Sequence, residues 1–302
     1  MTDDLITVFG GSGFLGQDVT RALLARGHTV RLVARHPQRP RFAPDQEKRL
    51  QRRAADIRDQ RAVRAAVAGS RVVINTVSLY AERGDLTFEA IHVRGAAELA
   101  GAARQAGVTR LLHVSGIGAD RRSPSPYIRA RARGEAAVLD AFPGAVMVRP
   151  SSLFGAGDAL IRSLAMLTRA PVIPLFGRGL TRLQPVWVND VAAALARLAD
   201  HAAPAAGVYE LGGAETLRYR ELVGAVCRHL GRRRVRVAVP FMLWHLLAMG
   251  LSRLPSPPLT RDQLWLMAKD NVASAEADGF AALGLRPRGV REALPVCLGP
   301  PR

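Results

Sequence analysis

The sequence predicts an α/β fold in which a parallel, doubly wound sheet has helices on both faces. Over the first 150 residues, short apolar segments rich in β-branched side chains alternate with longer segments of helical periodicity. Apolar strands separated by helices indicate a parallel sheet that is buried on both sides. Hydrophobic residues make up 48% of the 302 residues, so the composition provides for a well-buried core and argues against disorder.

The first two predicted strands and the helix between them form a compact βαβ unit. Residues 5–9 and 29–34 have the apolar, β-rich pattern of strands, and the helical pattern that begins at Leu15 closes at Gly27. A strand, a turn, a helix and a second strand within about thirty residues are the smallest unit that binds a dinucleotide. Further strands and helices then alternate, with strands at 72–77, 110–115 and 145–149 and helices at 62–68, 88–106 and 127–140.

The pattern loosens after Pro150. Helices are expected at 191–199, with Asn189 or Asp190 as the N-cap, and at 221–230, and a short strand is expected at 208–211. We therefore predict a sheet domain at 1–155 and a smaller region at 156–302 that contributes pieces back to the sheet and forms the substrate or partner side.

An apolar segment at 240–254 is broken by Ser256-Pro257-Pro258 and contains Trp244, Leu246, Leu247 and Met249. The favoured interpretation of this segment is a helix packed in the core. The alternative is a surface that faces a partner or a membrane.

The loop after the first strand has the spacing Gly10-x-x-Gly13-x-x-Gly16 and opens a helix. Glycines allow positive φ angles and let the backbone approach a pyrophosphate, and the helix N-terminus supplies free N–H groups with partial positive charge. The glycines alone would also fit a tight turn. Because the strand, the loop, the helix and the second strand are all present, we predict a Rossmann-type domain that binds a dinucleotide.

The end of the second strand favours NADPH over NADH. NAD-binding loops usually have an acid there to hold the ribose hydroxyls, but here the chain reads Val33-Ala34-Arg35-His36, and no acid follows before Asp45. Arg35, assisted by Arg39 or Arg41, could bind a 2′-phosphate. Asp56 and Ile57 follow the expected third strand. An acid at this position either contacts the adenine amino group of the cofactor or is a solvated loop residue, and both interpretations stay open for Asp56.

The formal net charge of +18 suggests nucleic acid or an anionic surface as a partner, but a coding bias explains it as well. Only Lys48 and Lys269 among the 43 basic side chains are lysines, and the arginines are scattered along the sequence. We expect no specific nucleic-acid binding and regard weak attraction to anionic membranes as more plausible. No signal peptide, metal-ligand cluster or membrane-spanning stretch is recognisable, and the expected location is cytoplasmic.

Several segments resemble the short-chain dehydrogenase/reductase superfamily in its extended and atypical branches. The resemblance rests on the glycine spacing, on His113-Val114-Ser115, and on the segments 127–131, 149–155, 184–191 and 208–213. Within that superfamily, segments 8–16, 135–143, 259–263 and 269–272 look most like the NADPH-binding accessory subunit of respiratory complex I and its bacterial relatives. The resemblance implies respiratory-complex or quinone-pathway partners and a peripheral position on the cytoplasmic face of the inner membrane.

The chemistry of that superfamily uses Tyr-x-x-x-Lys, in which the lysine lowers the tyrosine pKa and holds the nicotinamide ribose while the tyrosine transfers a proton. An upstream serine steadies the substrate oxygen. Here Tyr127 and Ser115 are present, but Arg131 occupies the lysine position. The cofactor-binding residues are predicted to be Gly10, Ser12, Gly13, Phe14, Leu15, Gly16, Arg35, Asp56, Ile57, Val77, Tyr127, Arg131 and Pro150.

Two functions remain open from the sequence. In the favoured one the protein holds NADPH as a structural cofactor in an accessory or assembly role, because arginine does not readily relay a proton. In the alternative it is an NADPH-dependent oxidoreductase or an epimerase-like enzyme acting on a small carbonyl compound. Tyr127 would then be the acid, Ser115 the oxygen-binding group and Arg131 the ribose clamp.

Overall fold

The computed structural model describes residues 4–200, 207–251 and 261–301. The chain divides into two compact units. The first unit comprises Met1–Pro150, Val188–Leu211 and Glu276–Leu285, and the second comprises Ser151–Trp187, Gly212–Ala275 and Arg286–Arg302. The predicted break at Ser256-Pro257-Pro258 and the start of the tail motif at 259–260 lie outside the described residues.

The strands of the described chain are β1 (Leu5–Phe9), β2 (Thr29–Ala34), β3 (Leu50–Ala54), β4 (Val72–Asn75), β5 (Arg110–Val114), β6 (Val146–Pro150), β7 (Leu153–Phe154), β8 (Val172–Phe176), β9 (Arg182–Leu183), β10 (Val186–Trp187), β11 (Gly207–Leu211), β12 (Leu217–Arg218) and β13 (Val235–Val239). The α-helices are α1 (Phe14–Ala25), α2 (Pro44–Glu47), α3 (Gln60–Val67), α4 (Ala96–Gln105), α5 (Pro126–Ala141), α6 (Ala159–Leu167), α7 (Val188–Leu198), α8 (Tyr219–His229), α9 (Phe241–Leu251), α10 (Arg261–Ala268) and α11 (Val290–Leu298).

The first unit is built on a seven-stranded sheet with the order β11-β6-β5-β4-β1-β2-β3, and every pairing in it is parallel. Helix α1 packs against α7, while α3, α4 and α5 pack side by side in sequence. The predicted doubly wound fold is confirmed. The strand order reverses between β1 and β4, and ligands of such sheets bind outside the carboxyl ends of the strands at this reversal.

The fourth and fifth strands explain the apolar runs of the sequence. Every residue of β4 and β5 is buried, because helices cover both faces of the sheet. On one face a core cluster extends from Phe9 and Val33 to Leu99, Leu111 and Met147. Strand β11 pairs with β6 and adds a piece from beyond residue 200 to the sheet.

Two local predictions need correction. Helix α7 begins at Val188, so Asn189 and Asp190 lie in its first turn and neither is the N-cap. The predicted helix at 88–106 is present, but Glu89–Gly95 forms a π-helix that continues into α4. Such π turns inside helices are rare and often occur at functional sites.

The second unit has its own core, which includes Phe154, Ile161, Ile173, Leu222 and Val226. Its strands form three separate pairs, β7 with β10, β9 with β12, and β8 with β13.

Helix α9 contradicts the favoured core interpretation of residues 240–254. Only Ala248 of this helix is buried, whereas Leu246, Leu247 and Met249 are exposed. No helix in the described parts of the chain is both long enough and apolar enough to cross a membrane.

Candidate functional site

The predicted site residues are distributed along the carboxyl edge of the sheet in the first unit. Because the strands are parallel, the loops that follow them lie at the same edge. By strand, they are Gly10 to Gly16 after β1, Arg35 after β2, Asp56 and Ile57 after β3, Val77 after β4, Ser115 after β5 and Pro150 at the end of β6. Tyr127 and Arg131 lie in the first two turns of α5.

Short backbone contacts close the glycine loop. Gly10 has a φ of +77°, and a Cβ on it would lie 2.8 Å from the Oγ1 of Thr76. A Cβ on Gly16 would lie 2.1 Å from the carbonyl oxygen of Gly10. Both positions therefore require glycine, and the loop leaves its backbone accessible to a phosphate.

Helix α1 begins without a side-chain cap. Its N-cap residue is Gly13, and its first turn, which contains Phe14, Leu15 and Gly16, has no acidic residue. The helices α3, α5 and α6, in contrast, are each capped by an oxygen of the preceding Asp59, Ser125 or Asp158. An uncapped N-terminus leaves N–H groups and partial positive charge available for an anion.

Arg35 lies directly after β2 with an exposed side chain. Among the described residues it has no hydrogen bond or ion pair, so its guanidinium is available to a ligand. Arg39 and Arg41, the predicted assistants of Arg35, are exposed as well. The preference for NADPH that rests on Arg35 stays a prediction.

Asp56 is held by a neighbouring arginine. The Nε and Nη2 of Arg58 donate to its two carboxylate oxygens over 3.0 and 2.8 Å, and the Nη1 of Arg58 donates to Asp85 over 2.6 Å. The hydrogen bonds from Arg58 hold the pKa of Asp56 below its ordinary value, and the charge of Arg35 acts in the same direction. Asp56 is therefore ionised and forms an ion pair with Arg58. The contact with adenine that the sequence suggested for Asp56 stays a prediction.

Tyr127 and Arg131 meet on one face of α5, as side chains four residues apart on a helix do. The Nε of Arg131 donates to the Tyr127 hydroxyl over 2.7 Å, and both side chains are buried. Burial raises the pKa of Tyr127 above its ordinary value, although Arg131 acts in the opposite direction. The phenol is therefore protonated at neutral pH in this arrangement.

The remaining nitrogens of Arg131 reach other elements of the first unit. Its Nη2 donates to the Ser78 Oγ over 2.8 Å, and its Nη1 approaches the Val114 carbonyl oxygen at 3.4 Å. The guanidinium thus connects α5 to the loop after β4 and to the end of β5. A lysine, with one nitrogen, could not make the same set of contacts.

Aromatic rings surround Tyr127. The ring centroids of Tyr80, Phe88 and His92 lie 5.8, 5.6 and 5.6 Å from that of Tyr127. Burial, followed by the charge of Arg131, lowers the pKa of His92 and of His113 to about 3. Both histidines are therefore neutral, and each has a hydrogen-bonding partner.

Helix α5 lies against the backbone of the π-helix at Gly134. A Cβ at this position would lie 2.0 Å from the carbonyl oxygen of His92. The position therefore requires glycine, and the contact brings the His92 ring against Tyr127.

Ser115 is buried directly after β5, and its hydroxyl has no hydrogen-bond partner among the described residues. Its backbone N–H donates to the Val148 carbonyl oxygen, which fixes the position of the residue. A buried hydroxyl without a partner is costly. Ser115 directly follows Val114, whose carbonyl oxygen contacts Arg131. The Ser115 hydroxyl is therefore suited to form a hydrogen bond with a ligand oxygen.

Sequence reasoning did not identify Ser78, Tyr80 or Phe88 as parts of this site. A signal for them existed, because the loop after β4 must lie at the same edge as the glycine loop once β4 is placed beside β1. Val77, which was predicted, donates its N–H to Asn75, and a Cβ on Gly10 would lie 3.0 Å from the Val77 nitrogen.

The sequence pattern of the NAD dependent epimerase/dehydratase family matches residues 6–212. Among solved structures, the chain resembles UDP-glucose 4-epimerase from Thermus thermophilus in complex with NAD, with a TM-score of 0.69, 20% identity and 97% of each chain covered. At this identity the likeness shows the fold alone.

Curated relatives include two kinds of protein. The chain is 32% identical over 303 residues to the mitochondrial NADH dehydrogenase [ubiquinone] 1 alpha subcomplex subunit 9 of Arabidopsis thaliana. The matched region covers 94% of this chain and 75% of that protein. It is 34% identical over 209 residues to a ceramide reductase of Caulobacter vibrioides, and this match covers 68% of the chain and 64% of the reductase. These findings confirm the superfamily resemblance expected from the sequence.

Proposed function

Because the chain belongs to the NAD dependent epimerase/dehydratase family, we propose that its first unit binds NADPH and holds it as a structural cofactor. The observation that carries this proposal is Arg131. It occupies the position of the catalytic lysine, and its nitrogens are directed to the Tyr127 hydroxyl, to Ser78 and to the Val114 carbonyl oxygen.

Three independent features of the first unit support the proposal that it binds a dinucleotide. The glycine loop has positions where any Cβ would collide with backbone, as at Gly16. Helix α1 opens without a side-chain cap, which suits a pyrophosphate. Arg35 is exposed and available where a 2′-phosphate would be bound, and this favours NADPH over NADH.

The arrangement around Tyr127 is better suited to binding than to proton transfer. Arginine has a pKa above about 12 and does not relay a proton at neutral pH. Burial raises the pKa of Tyr127, so the phenol does not readily give up its proton. The pair can donate hydrogen bonds to a ribose without turning over a substrate.

The similar proteins also suggest which protein partners this chain has. The Arabidopsis protein is by name a subunit of NADH dehydrogenase. We infer an accessory or assembly role beside a respiratory complex or an enzyme of quinone metabolism, on the cytoplasmic face of an energy-transducing membrane.

A second function is favoured by two observations. Tyr127 is retained, and the buried Ser115 hydroxyl has no partner among the described residues. In an NADPH-dependent reductase the cofactor would supply a hydride. Tyr127 would donate the proton to a substrate carbonyl oxygen, and Ser115 would hold that oxygen. The likeness to a ceramide reductase supports this alternative.

One preparation of the full chain tests both functions. Absorbance and mass spectrometry of the purified protein should detect NADPH that has copurified with it. The same sample is then mixed with a panel of carbonyl compounds and quinones while NADPH absorbance is followed. The structural proposal expects retained NADPH and no turnover. Turnover that is abolished by Tyr127→Phe, with cofactor binding intact, would establish the reductase instead.

A further inference from the structure

The segment between β4 and the π-helix, residues 76–88, lies against the Tyr127–Arg131 pair, and we call it the β4 loop. Its Ser78 hydroxyl accepts a hydrogen bond from Arg131 over 2.8 Å, and the ring centroid of its Tyr80 lies 5.8 Å from that of Tyr127. The Tyr80 side chain is 71% exposed, whereas Tyr127 is buried. The β4 loop therefore forms part of the cover that separates the pair from solvent.

The second half of the β4 loop turns back on itself at the surface. Arg83 and Leu86 exchange backbone hydrogen bonds of 3.0 Å, and the Glu82 Oε1 accepts the Phe88 backbone N–H over 2.7 Å. Residues 81–85 are all exposed. These bonds lie within the loop, so they maintain its shape but do not fix its position on the first unit.

An arginine from outside the loop attaches this exposed half. The Nη1 of Arg58 donates to the Asp85 carboxylate over 2.6 Å and approaches the Asp85 carbonyl oxygen at 3.4 Å. Among the residues that the structure describes, no other ion pair joins 81–86 to the rest of the first unit. The position of the exposed half therefore depends on Arg58.

Arg58 is already ordered before it contacts Asp85. Its Nε, its Nη2 and its backbone N–H all donate to the Asp56 carboxylate, over 3.0, 2.8 and 2.9 Å. An exposed ion pair contributes little when two long side chains must both be ordered to form it. Here Asp56 holds the guanidinium in place, so the contact with Asp85 requires the ordering of one short side chain only.

The contact joins two loops whose strands are not neighbours. Asp56 and Arg58 follow β3, the β4 loop follows β4, and β1 and β2 lie between these strands in the sheet. The loop after β3 is the proposed adenine end of the cofactor site, and the β4 loop lies at the Tyr127–Arg131 end. One side chain therefore connects the two loops that flank the proposed cofactor.

We propose that Arg58 is a positioning residue that latches the β4 loop over the Tyr127–Arg131 pair and thereby strengthens the retention of the nicotinamide part of NADPH. The inference rests on the proposed function and names the side chain that helps to hold the cofactor. Opening breaks the contact with Asp85 while Asp56 keeps Arg58 in place. The loop can therefore return to the same partner, and α5 need not move.

The first test compares two ligands on the full-length protein by isothermal titration calorimetry. NADPH reaches both ends of the proposed site, whereas 2′,5′-ADP has the adenosine and the 2′-phosphate but no nicotinamide. Asp85→Ala removes the latch and leaves the Arg58–Asp56 pair intact. NADPH should bind about two- to fivefold more weakly to this variant, and the affinity for 2′,5′-ADP should not change.

The second test uses the protein without cofactor. Hydrogen–deuterium exchange followed by NMR reports on the hydrogen-bonded backbone amides of Arg83, Leu86 and Phe88. In Asp85→Ala these amides should exchange about two- to fivefold faster, because exchange follows the population of the opened loop. The amides of β1 should keep their exchange rates, which would show that the fold is intact.

Two further variants serve as controls. Glu292→Ala in α11 removes an exposed acid that is paired with Arg288 and changes the net charge equally, so it should alter neither measurement. In an Arg58→Gln background the latch is already absent. Adding Asp85→Ala to that variant should therefore have no further effect on NADPH affinity or on amide exchange.

The outcomes separate the latch from cofactor binding. Unchanged amide exchange in Asp85→Ala, an equal loss of affinity for NADPH and 2′,5′-ADP, or additive effects in the double variant would each overturn the proposal. If the unaltered protein bound no NADPH, the cofactor proposal would be refuted instead. Amide exchange would still decide whether Arg58 holds the loop.

Discussion

The two ends of the candidate cofactor site are built differently. At the glycine loop the backbone determines the shape, because Gly10 and Gly16 leave no room for a Cβ. At the Tyr127–Arg131 end, side chains determine the chemistry, and one of them departs from the superfamily pattern. The first end conforms to the pattern and the second does not, so the groups proposed to bind the cofactor and those proposed for catalysis are separate and can change independently.

The physical basis of this difference is the tolerance of each end to substitution. A side chain in the glycine loop would displace backbone, and backbone cannot move without disturbing both β1 and α1. Exchange of lysine for arginine in α5 keeps a positive charge and adds hydrogen bonds to Ser78 and Val114. Such an exchange can preserve cofactor binding while removing a proton relay.

The largest effect on cofactor affinity is expected at Gly16. Gly16→Ala should weaken NADPH and NADH alike by about 100-fold, equivalent to about 2.7 kcal/mol, because its Cβ would lie 2.1 Å from the Gly10 carbonyl oxygen. Isothermal titration calorimetry measures both affinities. The control is Gly101→Ala in α4, where a Cβ meets nothing within 4 Å and binding should not change. Normal affinity in Gly16→Ala would refute the assignment of this loop to the pyrophosphate.

A smaller and more selective effect is expected at Arg35. Arg35→Asp should weaken NADPH by about 10- to 100-fold, since a charge-assisted contact contributes about 1.5–3 kcal/mol. NADH affinity should change much less. Arg104→Asp, which alters an exposed charge on α4 equally, is the control for net charge. If Arg35→Asp weakened both cofactors equally, the preference for NADPH would be wrong.

The smallest effect on affinity is expected at Arg131. Arg131→Lys keeps the charge but has one nitrogen in place of three, so about 1 kcal/mol of hydrogen bonding is lost. Cofactor affinity should fall by about fivefold or less, and the melting temperature should fall slightly. A loss as large as that of Gly16→Ala would show that the two ends are not separable. Carbonyl reduction that is gained by Arg131→Lys and lost again on adding Tyr127→Phe would show that the Tyr127–Arg131 end controls catalysis separately from the glycine loop.

The sequence was sufficient for the parts of the fold that depend on local pattern. The alternation of strands and helices predicted the parallel sheet, and i, i+4 spacing predicted that Arg131 would meet Tyr127. Sequence reasoning missed the contact between Arg131 and Ser78, which are 53 residues apart and meet only because β4 lies beside β5. The N-cap of α7 was misplaced, since Asn189 and Asp190 favour both caps and first turns.

Helix α9 shows a different limit of sequence reasoning. Its apolar residues lie all round the helix rather than along one stripe, so the pattern does not indicate which face is covered. Burial depends on what packs against the helix. The contacts of Phe241 and Trp244 with Phe176, and of His245 with Trp265 of α10, show which sides of the helix are attached to the second unit.

The close approach of Gly134 to the His92 carbonyl oxygen has a consequence for motion. Two backbones in such contact cannot slide past each other by a fraction of a helical turn, so α5 and the π-helix move as one piece. We therefore expect ligand-dependent rearrangement around the Tyr127 hydroxyl to be confined to side-chain rotation and to the loop that bears Ser78 and Tyr80. Relaxation measurements that detect exchange on the microsecond-to-millisecond timescale should find it in that loop and not in α5.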